Sequence, residues 1–332
     1  MRRALVTGAD GFIGSHLVET LLAEGYAVRA LSYYNAFGHR GWLEAVPGAV
    51  EDTLDVVQGD VRDAAQMRSL IDGCDVVFHL AALIGIPYSY EAPASYLGTN
   101  IEGTLNVLQA ARDHGGVKVI QTSTSEVYGT ARRVPIDEEH PLQAQSPYAA
   151  SKIAADQLAL SFHASFDLPV VVLRPFNTYG PRQSMRAIIP TVIRQLATGN
   201  SRLALGNLTP TRDLTYVTDT VRGFLLADRQ DAALGEVINL GTGHEISIGD
   251  LASLIARLMG KKVEIVRDES RVRPTASEVE RLCSDARKAD RLLGWQPEAS
   301  GAAGLEAGLR RTIDWVLAQP ELSRERAAEY VR

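Results

Sequence analysis

Tyr148 and Lys152 stand four residues apart in the pattern Y-x-x-x-K, and together they could take a proton from an alcohol. Residues with this spacing share one face of a helix. A lysine ammonium held beside a tyrosine stabilises the phenolate and lowers the tyrosine pKa, which is otherwise about 10. The phenolate is then a general base for a hydroxyl group. The pair alone is a weak signal, because the pattern occurs by chance in many helices.

A glycine-rich turn near the N-terminus strengthens this signal. Residues 3–7 form an apolar run that predicts a strand, and Gly8, Gly11 and Gly14 follow it with the spacing G-x-x-G-x-x-G before an amphipathic helix. Glycines permit a tight turn and close backbone approach, and the helix N-terminus attracts a pyrophosphate. The turn therefore predicts a dinucleotide site. A nicotinamide there would accept a hydride from an alcohol whose proton the phenolate removes.

The end of the second predicted strand, residues 27–31, leaves NAD and NADP as alternatives. An NAD site carries an acidic residue at this position for the ribose hydroxyls. Here Leu31 is followed by Ser-Tyr-Tyr-Asn, which contains no acid. A 2′-phosphate is therefore permitted, and His39 and Arg40 are candidates to contact it.

The remaining cofactor contacts are predicted from their order along the chain. Asp60 and Val61 follow the third predicted strand and suit the adenine edge, and Ala81 and Ala82 follow the fourth and suit the ribose beside the nicotinamide. The predicted cofactor-binding residues are Gly8, Gly11, Phe12, Ile13, Gly14, Ser32, Asp60, Val61, Leu80, Ala81, Ala82, Tyr148 and Lys152.

Strand-like and helix-like segments alternate through the first half of the chain, which predicts an α/β fold with a Rossmann-type doubly wound parallel sheet. After Pro175 the pattern changes to a loop rich in Gly and Pro. We therefore assign residues 1–175 to a nucleotide-binding domain and 176–332 mainly to a smaller α/β substrate lobe. Segments near 213–243 are expected to return to the first domain.

Composition excludes several classes of protein. The chain has 332 residues, of which 45% are hydrophobic and 22% charged, as in soluble globular proteins. The net charge of −6 argues against nucleic-acid binding, and no apolar run of about 18 residues predicts a membrane span. The two cysteines and seven histidines lack metal-ligand spacing, so we expect no metal site and a cytoplasmic location.

Five motifs, taken in order, resemble the extended short-chain dehydrogenase/reductase family, and within it the nucleotide-sugar epimerases and dehydratases. They are the glycine turn, the pair Asp60-Val61, His-Leu-Ala-Ala at 79–82, the Tyr148/Lys152 pair and Arg-Pro-Phe-Asn at 174–177. The resemblance implies tightly bound, recycled NAD or NADP and a nucleotide-diphosphate sugar as substrate. It also implies a homodimer formed through helices near 100–114 and 148–166.

The triplet Thr124-Ser125-Glu126 narrows the resemblance. Epimerases of the family tend to have small hydroxyl residues in place of Glu126, whereas 4,6-dehydratases carry Thr-Asp-Glu or Thr-Ser-Glu. The implied roles are a hydrogen bond from Thr124 to the sugar 4-oxygen, help for the leaving 6-hydroxyl from Ser125, and removal of the C5 proton by Glu126. A 4-epimerase and a UDP-glucuronate decarboxylase, which shows a similar triplet, remain alternatives.

Two further segments, 84–90 and 174–182, resemble the UDP-N-acetylglucosamine 4,6-dehydratases of legionaminic-acid-type pathways, while the triplet is of the GDP-mannose dehydratase type. The resemblance implies substrate contacts from Asn177, Arg212, Arg273 and Glu278. The guanidinium groups suit phosphate oxygens and the carboxylate suits the nucleotide ribose. A non-catalytic cofactor-binding sensor is a remoter alternative. The intact Thr124, Tyr148 and Lys152 argue against it, because a sensor would not need an activated phenolate.

Overall fold

The computed structural model describes residues 1–46, 53–199 and 202–319, so the last part of the predicted substrate lobe, 320–332, lies outside the described residues. The strands are β1 (Arg3–Thr7), β2 (Ala27–Tyr33), β3 (Leu54–Gly59), β4 (Val76–His79), β5 (Lys118–Thr122), β6 (Val170–Pro175), β7 (Asn177–Tyr179), β8 (Arg202–Leu205), β9 (Thr211–Tyr216), β10 (Val237–Leu240), β11 (Glu245–Ser247) and β12 (Glu264–Arg267).

The helices alternate with these strands. They are α1 (Phe12–Ala23), α2 (Ala64–Ile71), α3 (Ile86–Glu91), α4 (Pro93–Tyr96), α5 (Gly103–Asp113), α6 (Pro147–Phe166), α7 (Ile188–Ala197), α8 (Val217–Arg229), α9 (Ile248–Leu258), α10 (Arg287–Leu293) and α11 (Gly301–Leu317). None of the helices in the described part of the chain is long and apolar enough to cross a membrane.

Seven parallel strands form the main sheet, in the order β10-β6-β5-β4-β1-β2-β3. Every residue of β4 and β6 is buried, because helices cover both faces of the sheet. The apolar side chains on the two faces belong to two separate hydrophobic clusters. The predicted doubly wound parallel sheet is confirmed.

The second half of the chain contributes to three sheets. The strand β10 joins the main sheet, where Val237 pairs with Val172. Residues 211–216, in contrast, form the centre of a three-stranded sheet of order β11-β9-β7, and β8 pairs with β12. We call the three-stranded sheet and the β8–β12 pair, with the helices around them, the second region. The chain passes from the main sheet into this region, returns to the main sheet once through α8 and β10, and then enters the second region again.

The helix α6 carries Tyr148 and Lys152, and its ends are well defined. Ser146 caps its N-terminus by accepting a hydrogen bond from the Ala149 amide at 3.1 Å, and Pro147 occupies the first turn. Asp167 ends the helix in the left-handed region, with φ of 53°. Both side chains are buried, and they lie one helical turn apart.

Candidate active site

A cavity of about 1120 Å³ opens at the carboxyl ends of the main-sheet strands. Residues that follow β1, β4, β5 and β6 line it, together with segments of the second region. This edge is where open α/β sheets bind ligands. The cavity therefore has one wall from the main sheet and one from the second region.

The glycine turn forms part of the main-sheet wall, and it has no room for side chains. A Cβ on Gly8, whose φ is +66°, would lie 2.8 Å from the Ala81 amide nitrogen, and a Cβ on Gly14 would lie 2.1 Å from the Gly8 carbonyl oxygen. The Thr7 hydroxyl accepts hydrogen bonds from the Leu80 and Ala81 amides, each at 3.1 Å. This bare backbone cradle fits a dinucleotide pyrophosphate at the start of α1.

His79 lies beneath this wall as a core residue. Its ring nitrogens contact the hydroxyls of Thr7 at 2.8 Å and Thr104 at 3.1 Å. Burial, and to a smaller extent the charge of Lys152, lowers the pKa of His79 to about 3. The side chain is therefore neutral and structural.

Thr124, Ser125 and Glu126 stand at the start of a single 3₁₀ turn (Ser125–Tyr128) that follows β5. The Thr124 hydroxyl accepts a hydrogen bond from the Glu126 amide at 3.3 Å. All three residues line the cavity, and Glu126 is only 8% exposed. The turn thus presents a hydroxyl and a carboxylate on the same wall as Tyr148.

The geometry corrects one expectation about Tyr148. Burial raises its pKa, and this outweighs the lowering by a hydrogen bond with Thr124, while the Glu126 charge raises it further. The Lys152 ammonium donates a hydrogen bond to the Thr122 carbonyl at 2.5 Å. Burial lowers the pKa of Lys152 to about 8, although the charge of Asp156 acts in the opposite direction.

A buried polar network lies behind the 3₁₀ turn Ser125–Tyr128. The Asp156 carboxylate accepts from the Ser123 hydroxyl at 2.7 Å and from Arg174 Nε at 3.0 Å. Arg174 in turn donates to the Tyr128 hydroxyl at 3.0 Å, which donates to the Asn239 side chain at 2.7 Å. The network links α6, the 3₁₀ turn, β6 and β10, so it fixes their relative positions.

The opposite wall carries charged side chains. Glu278, 7% exposed, lies 3.7 Å from an Arg212 guanidinium nitrogen and 3.5 Å from one of Arg273. The Asn207 side chain donates to Glu278 at 3.1 Å. Burial lowers the pKa of Arg212, whereas the charges of Glu126 and Glu278 raise it. The buried Asn177 side-chain oxygen has no hydrogen-bond partner among the described residues, and Asn177 lies on the cavity lining.

The structure brings nearly all predicted site residues to this one cavity. Those on its lining are Gly8, Gly11, Phe12, Ile13, Gly14, Asp60, Val61, Leu80, Ala81, Ala82, Thr124, Ser125, Glu126, Tyr148, Lys152, Asn177, Arg212, Arg273 and Glu278.

Ser32, predicted to bind the cofactor, is the exception, because it does not lie on the cavity lining. Successive side chains of a strand point to opposite faces, and here Leu31 and Tyr33 line the cavity while Ser32 is fully buried away from it. The candidates for a 2′-phosphate, His39 and Arg40, are also absent from the lining. His39 lies 3.7 Å from Glu44 instead.

Sequence reasoning missed several lining residues, among them Asp10 and Asn207. Asp10 lies inside the glycine motif, so its position in the turn was the available signal. Asn207 lies in a loop whose course depends on the tertiary fold, and no local pattern marked it. Arg186, a weaker candidate for a phosphate contact, also lies on the lining. The described residues contain no group of His, Cys, Asp and Glu side chains that could hold a metal ion.

Comparison with known proteins agrees with this geometry. The family model described as GDP-mannose 4,6 dehydratase matches residues 5–307. The chain belongs to this family. The family falls within the nucleotide-sugar dehydratases and epimerases of the extended short-chain dehydrogenase/reductases, and related enzymes of this fold have been solved with NAD. The narrower resemblance to legionaminic-acid-type dehydratases has no support in these comparisons.

Relatives within the family differ in reaction. The chain is 36% identical to a dTDP-glucose 4,6-dehydratase of Streptomyces griseus, over 94% of this chain and 93% of the relative. It is 34% identical to a UDP-N-acetyl-alpha-D-glucosaminuronate decarboxylase of Bacillus cytotoxicus, over 95% and 97%. A structure of UDP-glucuronic acid 4-epimerase from Bacillus cereus, with UDP-glucuronic acid and NAD, superposes with a TM-score of 0.85 at 30% identity, over 96% and 99%.

Proposed function

We propose that this protein is a nucleotide-sugar 4,6-dehydratase that uses bound NAD or NADP, and that UDP-N-acetylglucosamine is its substrate. The position of Glu126 carries the proposal. Its carboxylate is buried on the cavity wall and acts electrostatically on both Tyr148 and Arg212. An epimerase needs a base only for the 4-hydroxyl, which Tyr148 supplies. A second base beside it is what removal of a C5 proton requires.

Each residue then has one task in the reaction. Tyr148 takes the proton of the sugar 4-hydroxyl, and Thr124, which is hydrogen-bonded to Tyr148, holds the 4-oxygen. The 4-ketone acidifies the C5 proton, and Glu126 removes it as the hydroxyl leaves C6 with help from Ser125. When bound, the nicotinamide provides the acceptor for the hydride from C4 and its donor to C6.

The main-sheet wall supports the cofactor part of the proposal. The glycine cradle would hold the pyrophosphate, Asp60 and Val61 the adenine, and the segment 80–82 the ribose beside the nicotinamide. Lys152, which lies on the lining and donates to the Thr122 carbonyl at the end of β5, would bond that ribose and keep a positive charge near the phenol. Related enzymes with this fold have been solved with NAD.

The charged wall supports a nucleotide-diphosphate sugar as the substrate class. Arg212 and Arg273 would bind the diphosphate, because guanidinium groups match phosphate oxygens. Glu278 would accept from the ribose hydroxyls, and Asn177 would contact the sugar or the diphosphate through an amide whose oxygen is otherwise unpartnered. The charged side chains of this wall therefore match the diphosphate and the ribose of a nucleotide-diphosphate sugar.

A second candidate is an enzyme that acts on a uronic acid, either a 4-epimerase or a decarboxylase. Arg186 favours it, because this cation lines the cavity near enough to Tyr96 to oppose the burial that raises the tyrosine pKa to about 12. The Tyr96 ring lies 6.3 Å from that of Tyr148. A cation in this area could receive the carboxylate of a uronic acid, and relatives with such substrates occur.

The test is mass spectrometry of the protein incubated in D₂O with UDP-N-acetylglucosamine, UDP-glucuronate and their GDP and dTDP counterparts. A 4,6-dehydratase gives a product that has lost one water and carries one deuterium, because C5 is reprotonated from solvent. An unchanged mass with altered retention indicates an epimerase, and loss of carbon dioxide a decarboxylase. Either outcome on a uronate, without water loss from any hexose, would replace the dehydratase proposal.

The variant Glu126→Gln tests the assigned base. It should lower water loss by about 10²–10⁴-fold, the usual contribution of one general base, without changing cofactor content. Glu139→Gln, an exposed carboxylate absent from the cavity lining, is the matched control. Full dehydratase activity in Glu126→Gln would contradict the assignment. A Tyr148→Phe variant that loses turnover but keeps cofactor argues against the sensor alternative.

Two further features stay proposals. We propose a homodimer through the faces of α5 and α6, which light scattering on the purified protein would test. We also propose a cytoplasmic location, which fits a substrate class made from nucleotide precursors and can be checked by fractionation.

A further inference from the structure

We propose that Asp10, within the glycine turn, supplies the carboxylate that selects NAD over NADP. The proposal rests on the dinucleotide site proposed above. NAD sites of this fold take that carboxylate from the end of β2, and this chain has none there. Asp10 lines the cavity, and its Oδ2 accepts a hydrogen bond from the Tyr33 amide, the last residue of β2, at 3.2 Å. The turn thus places a carboxylate at the strand end.

The neighbouring segment holds Asp10 in this position. The Trp42 amide donates to the Asp10 carbonyl at 3.0 Å. Gly41 approaches so closely that a Cβ on it would lie 2.5 Å from that carbonyl oxygen and 3.0 Å from Asp10 Cβ. Backbone contacts on both sides therefore limit the movement of the side chain. The carboxylate is partly exposed, and the cavity is where it meets solvent.

The charges around this corner leave Asp10 as the group that distinguishes the two cofactors. Arg62, which also lines the cavity, forms a bidentate pair with Asp60, with Nε 3.0 Å from both carboxylate oxygens. His39 faces Glu44 and is outside the lining. Across residues 1–46, 53–199 and 202–319, no ion pair involves Asp10. An uncompensated negative charge thus remains at the β2 end.

This charge has opposite consequences for the two cofactors. The ribose hydroxyls of NAD can donate hydrogen bonds to the carboxylate, and charged acceptors make the stronger bonds. The 2′-phosphate of NADP would bring about two negative charges to within a few ångströms of it. Repulsion at that range, across the dielectric of a partly exposed site, corresponds to roughly tenfold or more in relative affinity.

The test is a competition for the cofactor site that needs no turnover. The full-length protein is incubated with equal, excess NAD and NADP, freed of unbound nucleotide and denatured, and the released nucleotides are quantified by mass spectrometry. The wild type should release NAD in at least about tenfold excess. Asp10→Asn should reduce the NAD:NADP ratio about tenfold or more, because it removes the charge but keeps an oxygen that accepts from the Tyr33 amide.

Two companion variants make the result specific. Glu44→Gln removes a carboxylate from the same corner that does not line the cavity, and it should leave the ratio unchanged. Asp10→Ser, which is short and uncharged, should shift the ratio as Asp10→Asn does. The inference is overturned if the wild type retains NADP, or if both Asp10 variants keep the wild-type ratio. Release of neither nucleotide would overturn the dinucleotide site itself, on which the proposed function depends.

Discussion

The two walls of the cavity are built in different ways. The main-sheet wall presents backbone, with Gly8 and Gly14 packed against neighbouring main-chain atoms. The opposite wall presents the charged side chains of Arg212, Arg273 and Glu278. A wall of backbone is fixed by the sheet and accepts no added atoms. A wall of side chains can change without altering the fold, so members of one family can share a cofactor and differ in substrate.

The largest expected effect comes from adding one methyl group to the backbone wall. The Cβ of Gly14→Ala would lie 2.1 Å from the Gly8 oxygen and 2.9 Å from the Ala9 Cα, and main-chain atoms cannot rotate away. We expect a loss of about 3 kcal/mol or more of unfolding free energy, the upper range for overpacking, together with loss of bound cofactor. Urea denaturation and nucleotide release measure these two effects.

The control for that experiment is Gly98→Ala. The nearest atom to its new Cβ would be Arg62 Cδ at 3.6 Å, an ordinary contact, so stability and cofactor content should stay close to the wild type. If Gly14→Ala were as stable as this control and kept its cofactor, the backbone wall could accept added atoms, and the contrast between the two walls would be wrong.

The next largest effect should come from the side-chain wall and leave the fold intact. Arg212→Ala removes a buried guanidinium and should raise KM for the nucleotide sugar about 30-fold or more, because loss of one partner of a buried charged contact costs about 2 kcal/mol or more. Cofactor content should not change, because Arg212 belongs to the opposite wall. Arg281→Ala, whose guanidinium pairs with Glu245 outside the cavity, is the matched control. Loss of cofactor in Arg212→Ala would show that the walls are not independent.

The effect that is smallest at neutral pH appears only in acid, and it probes the support of the main-sheet wall. The folded pKa of His79 is about 3, below its unfolded value of 6.5. Its contribution to stability is therefore complete above pH 6.5 and is lost as pH falls toward 3. In urea titrations between pH 6.5 and 4, His79→Asn should show a shallower pH slope than the wild type, by up to about 1.4 kcal/mol per pH unit.

His244→Gln, an exposed histidine, is the control and should keep the wild-type slope. Equal slopes for the wild type and His79→Asn would mean that His79 charges without cost in the folded protein.

The sequence could predict the features that local patterns encode, and it could not predict those that depend on contacts between distant parts of the chain. The parallel sheet, the glycine turn and the Tyr148 helix are local patterns, and each lies where it was expected. Ser32 lies off the cavity lining because one residue of register along a strand reverses the face of the side chain. Asn207 was missed because it meets Glu278 across a separation of 71 residues, which no local pattern encodes.

The burial that raises the Tyr148 pKa was also beyond prediction. It is a property of the assembled cavity, and it outweighs the hydrogen bond with Thr124. Sequence spacing could identify the pair with Lys152, but it could not show that the ammonium bonds the Thr122 carbonyl.

The return of the chain to the main sheet at β10 has a consequence for synthesis on the ribosome. When β6 emerges, its partner β10 is still about sixty residues from being translated, which takes roughly 3–12 seconds at common elongation rates. During that interval an apolar strand end, Val170–Pro175, has an open edge that invites pairing with other chains. The nascent protein is therefore most exposed to aggregation in mid-synthesis, and that is when a chaperone would protect it most.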